Sequence, residues 1–321
     1  MDLFAVGTPV LDVFARCSER KLSELGLEKG ATSYFSAKEM AKIQRKLAGK
    51  IFHLYAGDNA RNVCEGFSAL GGFCSYQGTV GSDRDGALFE ANLEECGIAN
   101  FLQEKRGATG KIIAIITPDN ERTFCADLGV SGDCSATEED AFSRSKFFFT
   151  TSITLACGKP VSALALKYLD KCKKSGKRVA ISIENPPMVQ KNSKMLLAVV
   201  KKYADVLLMN ETEADALLGK GAEKLLLKLK PRIPIYLKKG KHGSILYLNK
   251  KAQRIPALAA KPIDTTGAGD AYAAGVLYGL TRNYSPYASA RIGCMLATKV
   301  VEKVGAGIPL AHTRIRIRHR K

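Results

Sequence analysis

No two cysteines in this chain are spaced C-x-x-C. The nine that occur (Cys17, Cys64, Cys74, Cys96, Cys125, Cys134, Cys157, Cys172 and Cys294) are scattered and odd in number, which argues against both zinc binding and a disulfide framework. Free thiols fit a reducing compartment such as the cytoplasm. Histidine is scarce. His53, His242, His312 and His319 show no paired spacing, so a His-based metal site is not expected. No uninterrupted apolar run approaches the ~18 residues of a membrane span. The opening Met1-Asp2-Leu3-Phe4-Ala5-Val6-Gly7 has no basic region before its apolar stretch, and it reads as a β-strand, not a signal peptide. A G-x-x-x-x-G-K-[ST] string is absent, so a P-loop kinase is not supported. The protein-kinase set, with H-R-D and D-F-G, is absent too.

Acidic residues are in short supply: 31 against 49 basic ones, a formal net charge of +18. The basic residues concentrate in 167–178, 220–241 and 314–321. Such an excess fits nucleic-acid binding, or a solvated basic face that also attracts anionic substrates such as nucleotides. The spread over several helical segments favours the second, and no nucleic-acid motif or series of stacking aromatics accompanies the charge. The tail Arg314-Ile315-Arg316-Ile317-Arg318-His319-Arg320-Lys321 alternates like an edge strand. It fits equally a frayed terminus or a segment docking on an acidic partner.

Hydrophobic content of 46% and charged content of 25% are ordinary for a globular chain, and 321 residues suffice for a large core in one or two domains. Strand-like runs alternate with helical patterns, which predicts an α/β fold with a largely parallel sheet. Central strands are expected at Leu3–Val6, Ile51–Leu54, Phe73–Gly78, Phe147–Thr150, Val179–Ile183, Val206–Met209, Ile235–Lys238 and Ser244–Leu248. Helices are expected at Ala37–Leu47, Asn59–Leu70, Asp83–Glu95, Lys159–Ser175, Ser193–Lys202, Glu211–Leu218, Ala222–Leu229, Gly267–Leu280 and Pro286–Val304. Two segments, about 12–35 and 101–128, are strand-like without clear crossover helices. The second contains a hairpin turning at Pro118-Asp119-Asn120-Glu121. Together they predict a small separate β-sheet.

The string Asp264-Thr265-Thr266-Gly267-Ala268-Gly269-Asp270 carries the chemistry. Gly267 and Gly269 lack a Cβ, so a ligand can approach their backbone N–H groups. The small apolar residues from Ala271 predict a buried helix whose positive end suits a phosphate. Asp270, in its first turn, can take a proton from an attacking hydroxyl, or can simply complement the helix dipole. The whole string resembles the D-T-x-G-A-G-D signature of the ribokinase-like sugar and nucleoside kinases, the PfkB family. That resemblance implies Asp270 as catalytic base and Gly267, Ala268 and Gly269 as an anion hole. It also implies a three-layer α/β/α Rossmann-like ribokinase fold, one domain over residues 1–321, with the small sheet as a lid that excludes water.

Further strings fall in family order. Gly7-Thr8-Pro9-Val10-Leu11-Asp12 resembles the N-terminal substrate motif, which places Asp12 at the sugar hydroxyls. Ala56-Gly57-Asp58-Asn59-Ala60-Arg61-Asn62 resembles G-G-x-x-x-N, which puts Gly57, Asn59 and Asn62 along the sugar site. Asp58 stands where the family has a second glycine. It either adds an acceptor for the substrate or narrows the site. Arg122 resembles a lid arginine meeting phosphates or substrate. Asn210-Glu211-Thr212-Glu213 can cap a helix, and it resembles the family's N-x-x-E motif for Mg²⁺ and phosphate, with Glu213 toward the metal through water. Lys238-Lys239-Gly240-Lys241-His242-Gly243 resembles the nucleotide turn. The resemblance assigns Asn210, Lys239, Gly240, Gly243, Thr265 and Cys294 to the nucleotide. Val304-Gly305-Ala306-Gly307 resembles a turn near the base and a monovalent-cation site, or is a helix C-cap. The implied activity is ATP- and Mg²⁺-dependent phosphorylation of a primary hydroxyl. The strings Leu25–Gly30, Gly7–Asp12 and Glu121-Arg122-Thr123 are closer to the adenosine-kinase-type branch, and a sugar or polyol acceptor is the alternative. A monomer or homodimer is expected, with no membrane partner. A non-catalytic binding protein on the same fold is the reading from another class.

Overall fold

Strand residues that alternate between two apolar cores set the layers. In β1 (Leu3–Val6), Leu3 and Ala5 face one core while Phe4 and Val6 face the other. A strand buried on both faces belongs in a parallel sheet covered by helices on each side. The computed structural model describes residues 1–229, 232–302 and 307. Its further strands, in chain order, are β2 (Val10–Arg16), β3 (Thr32–Tyr34), β4 (Ile51–Gly57), β5 (Cys74–Gly81), β6 (Ala99–Lys105), β7 (Gly110–Ile116), β8 (Arg122–Asp127), β9 (Phe147–Thr151), β10 (Arg178–Ser182), β11 (Val206–Asn210), β12 (Ile235–Lys238), β13 (Ser244–Leu248) and β14 (Lys251–Ile255).

Among the described residues a nine-stranded sheet has the order β14-β13-β12-β11-β10-β9-β1-β5-β6. It is parallel from β12 to β6, and β13 and β14 add antiparallel pairs at one edge. One face packs on the helices Asn59–Ala69, Ala268–Thr281 and Pro286–Val301. The other packs on Pro160–Ser175, Ser193–Tyr203 and Glu211–Leu218. The last two helices cross with almost no space between them: a Cβ built on Gly275 would lie 2.6 Å from Gly293 Cα. That contact seats the Ala268–Thr281 helix deep in the layer.

A separate five-stranded sheet has the order β3-β8-β7-β2-β4. Val13, Ala15, Ile113 and Ile115 on one of its faces are covered by Leu22, Met40 and Ile43 from the helices Glu19–Glu24 and Ala37–Lys46. The predicted hairpin is present as β7 and β8, paired antiparallel from Ile116↔Arg122 to Lys111↔Asp127.

Three local expectations need correction. Ile51–Leu54 is not a central strand. It belongs to β4, which pairs antiparallel with β2 at the edge of the small sheet and leaves Phe52 and Leu54 exposed. Residues 101–105 belong to β6, which pairs in parallel with β5 in the large sheet. Residues 12–35 include a helix, Glu19–Glu24, started by Ser18 accepting from Lys21 N. In the first two cases the run is short enough to fit either sheet and only long-range pairing decides, while Glu19–Glu24, polar except for the buried Leu22, is too short to show a helical apolar period. The last expected helix is described to Val301. Residues 304–306 of the following turn, and the basic tail, lie outside the described residues. Among those described, no helix is long and apolar enough to cross a membrane, and all nine cysteines are free.

Candidate active site

Parallel strands deliver their C-terminal ends to one edge of the sheet, where ligands of open α/β folds bind. Here β11 ends at Asn210, β12 ends at Lys238, and the chain leaves β10 through Glu184 and Asn185. A cavity of about 980 Å³ lies there. The turn Gly267–Gly269 and Asp270 form part of its wall.

Gly267 is the N-cap of the Ala268–Thr281 helix, with φ of 75°, a left-handed conformation that a Cβ would disfavour. No side chain caps this helix. Its first-turn amides therefore lack intrahelical acceptors; Ala268 N turns back to Thr265 O at 3.2 Å, and the amides of Gly269 and Asp270 are available to an anion. A Cβ on Gly269 would sit 3.2 Å from Lys238 Nζ, so the lysine ammonium lies beside the same cradle.

Asp270 is 7% exposed. Asn62 Nδ2 donates to its Oδ2 at 2.9 Å, and Asn59 Nδ2 donates to its Oδ1 at 3.2 Å. Burial pushes its pKa up to about 6, against the lowering effects of Asn62, Lys238 and Asn59. The amide bonds orient the carboxylate but do not hold it fully ionised, a state suited to a group that accepts a proton near neutral pH. Asn62 is itself oriented. The wholly buried Arg61 donates from Nη1 to Asn62 Oδ1 at 3.1 Å, which turns the Asn62 NH₂ toward Asp270. Arg61 is fixed in turn by Glu65 Oε2 at 2.6 Å, the Tyr55 hydroxyl at 3.1 Å, Cys96 Sγ at 3.3 Å and Asn92.

On the side of the small sheet, the Asp12 carboxylate lies directly against the bare α-carbon of Gly57. Burial first, then the Asp58 charge, push its pKa up to about 7, with a smaller contribution from Asp270. Asp58 itself turns inward. It caps the Asn59–Ala69 helix through Arg61 N at 3.2 Å, and it accepts from Tyr76 OH at 2.8 Å and Thr8 Oγ1 at 3.3 Å. Its φ of 97° explains why glycine suits the position. Asp58, which departs from the family string, is thus in contact with Thr8 of the N-terminal motif. Asp58 acts on the site through its charge, not through an acceptor offered to the cavity.

Arg122 joins the two sheets. Its Nη2 donates to Asp264 Oδ1 at 2.9 Å and its Nη1 to Thr266 Oγ1 at 2.8 Å, which docks β8 on the glycine-rich turn. Asn210 and Glu213 line the cavity and form a capping box: Glu213 N donates to Asn210 Oδ1 at 2.8 Å, and Asn210 N to Glu213 Oε2 at 2.6 Å. Capping and a ligand role coexist there. Gly240, Gly243, Thr265 and Cys294 also line the cavity. Lys239 does not. Glu211 and Glu223 hold its ammonium at 2.6 and 2.7 Å, and Lys238 takes the place in the wall. Strand alternation carries that signal, because Lys238 shares a face with Tyr236, which packs on the Ala268–Thr281 side. Arg61 and Glu184 escape sequence reasoning altogether.

The acid limb of kcat/KM is expected to reflect both carboxylates. Asp270 near 6 and Asp12 near 7 must lose protons to accept from a hydroxyl, so activity should fall as pH drops through that range. A profile from pH 5 to 9 checks this, and a flat profile across that interval would contradict it.

Residues 34–314 match the profile described as "pfkB family carbohydrate kinase". Adenosine kinase of Saccharomyces cerevisiae is 27% identical, over 96% of each chain. Fructokinase of Salmonella typhimurium is 26% identical, over 72% of this chain and 78% of its own. Among solved structures, adenosine kinase from Sinorhizobium meliloti superposes with a TM-score of 0.86 at 24% identity, covering 97% of both chains. That likeness bears on the fold, a large central sheet with a smaller separate one. The matched span takes in the glycine-rich turn, Asp270 and the Asn59–Asn62 helix start, and by it the chain belongs to the pfkB family of carbohydrate and nucleoside kinases.

Proposed function

We propose that this kinase transfers the γ-phosphoryl group of ATP to a primary hydroxyl of an adenosine-like nucleoside. The observation that carries the proposal is the Asp270 carboxylate. It is buried beside uncapped helix amides, aimed by two side-chain amides, and open to a cavity of nucleotide size. Asp12, Asn59 and Asn62 hold the acceptor sugar. Asp270 takes the hydroxyl proton as the oxygen attacks phosphorus. The amides of Gly267–Gly269 and the Lys238 ammonium receive charge on the transferring group. Such transfer depends mainly on positioning and electrostatics. Glu213 faces the place of a divalent cation which, when bound, offsets phosphate charge. The small sheet acts as a lid, with Arg122 as its latch on Asp264 and Thr266, and limits access of water to the nucleotide.

Near-complete two-way coverage by the yeast adenosine kinase supports a nucleoside over a free sugar. A sugar acceptor is the second reading, supported by the fructokinase relative. A panel of nucleosides and sugars, assayed for ADP formation, tests the choice. Adenosine-type nucleosides should exceed ribose and fructose at least about tenfold in kcat/KM, a margin within reach of pocket contacts. Higher turnover with a free sugar would overturn the nucleoside assignment, and no turnover with any acceptor would contradict the kinase proposal.

A further inference from the structure

The chain crosses between the two sheets at Gly7-Thr8-Pro9, where β1 gives way to β2. It crosses back at Asp58, where β4 ends and the Asn59–Ala69 helix begins. The two crossings lie side by side, because β2 and β4 pair from Val10↔Gly57 onward. The Asp58 carboxylate ties them together. Its Oδ1 accepts from Thr8 Oγ1 in the first crossing, and its Oδ2 accepts from Arg61 N on the helix and from the Tyr76 hydroxyl on β5 of the large sheet. The bare α-carbon of Gly7 lies against both that Oδ2 and the Tyr76 hydroxyl. Thr8, Asp58 and Tyr76 are all buried.

The backbone at this position is unusual for a residue with a side chain. Asp58 has a φ of 97°, whereas the other five non-glycine residues with positive φ among those described lie between 49° and 66°, in the ordinary left-handed well. Such a conformation persists only where the surroundings over-determine it. A glycine, as in the family string, would fit without strain but would leave the two crossings without a side-chain tie. On one side of Asp58, Gly57 carries the Asp12 carboxylate against its α-carbon. On the other, Asn59 donates to Asp270. One carboxylate therefore sits between the support of Asp12 and an amide that aims the base.

We infer that Asp58 is a positioning residue, a clamp across the two inter-sheet crossings that holds Asp12 beside the start of the Asn59–Ala69 helix and so sets affinity for the acceptor. The inference rests on the reading of Asp12 as an acceptor ligand, and it adds a residue that touches no acceptor itself. The charge of Asp58 gives the clamp a second readout. Around Asp12, burial, Asp58 and Asp270 favour the protonated carboxyl and Arg61 opposes it. Tyr76 of β5 and Cys64 of the helix also face Asp58. Removing the charge at position 58 lowers the proton affinity of Asp12, so the acid limb of kcat/KM moves to lower pH.

Hydrogen exchange of the ligand-free protein, followed by mass spectrometry, tests the clamp without any acceptor. In Asp58→Gly, amides of residues 7–16 and 51–57 should exchange at least about tenfold faster than in wild type, while those of β9 keep the wild-type rate. With adenosine as the probe, its KM should rise at least about tenfold, and kcat and the KM for ATP should stay within about threefold. Asp58→Asn keeps acceptors for Thr8 and Arg61 N and an amide for Tyr76, so exchange and KM should return close to wild type, with the acid limb at lower pH. Should Asp58→Gly fail to fold, Thr8→Val removes one leg of the clamp and should raise both local exchange and the adenosine KM about threefold. Wild-type exchange at 7–16 in the folded variants, equal acceleration in β9, an unchanged adenosine KM, Asp58→Asn as impaired as Asp58→Gly, or an unmoved acid limb would overturn the inference. Faster local exchange in Asp58→Gly, from a wild-type protein that does not phosphorylate adenosine, would uphold the clamp while removing the nucleoside reading.

Discussion

Asp270→Asn is expected to lower kcat by about 10²–10⁴-fold, the range for loss of a positioned general base. The change is nearly isosteric and touches neither the glycine turn nor Lys238, so KM for ATP should stay within a few-fold of wild type. Asn59 and Asn62 would still meet one acceptor oxygen at position 270, which keeps the local packing. What is lost is a group that can take the proton. The residual rate should also lose the part of its acid limb that belongs to Asp270, near pH 6. Steady-state kinetics on folded variant, with circular dichroism as the control, checks this. Turnover within threefold of wild type would refute Asp270 as the base.

The second large effect is expected at Arg61, which does not touch the cavity. Arg61→Met should destabilise the protein by about 3–5 kcal/mol, because the buried Glu65 carboxylate loses the guanidinium that offsets its charge. For a chain of this size the melting temperature should fall by roughly 5–10 °C. Activity should fall as well, by about 10- to 100-fold in the protein that remains folded, since Asn62 is freed to rotate and no longer aims Asp270. A double replacement separates the two effects. Arg61→Met with Glu65→Leu removes both charges, and an apolar pair in such a site is often as stable as the ion pair. Stability should largely return while kcat stays low. Full recovery of kcat along with stability would show that Arg61 acts on folding alone.

These two residues also mark what could be read from the chain. Asp270 was legible because its environment is local: a glycine turn, an uncapped helix start and an acid in the first turn follow one another within seven residues. The parallel sheet was legible for a similar reason, since strands such as Phe147–Thr150 are apolar at all but the last position. Ile51–Leu54 misled because its apolar run is short, and a short run does not say which sheet will pair with it. Arg61 reads as an ordinary helical basic residue four before an acid. Only the packing of Asn92, Cys96 and Tyr55 around it makes it a buried hub. Glu184 is distinguished by its burial in the cavity wall, which no string of letters records. Asp58 stood out as a departure from the family string, and its inward turn to Thr8 and Tyr76 became visible only in three dimensions.

The account depends most on one carboxylate delivering a proton-accepting function to phosphoryl transfer. Phosphorus NMR of the wild-type protein with ATP, Mg²⁺ and adenosine, beside Asp270→Asn under the same conditions, measures that directly. The account predicts a 5′-phosphomonoester signal growing in step with ADP in the wild type and nearly absent in the variant. Growth of free phosphate in place of the monoester, or the same monoester rate from both proteins, would contradict it.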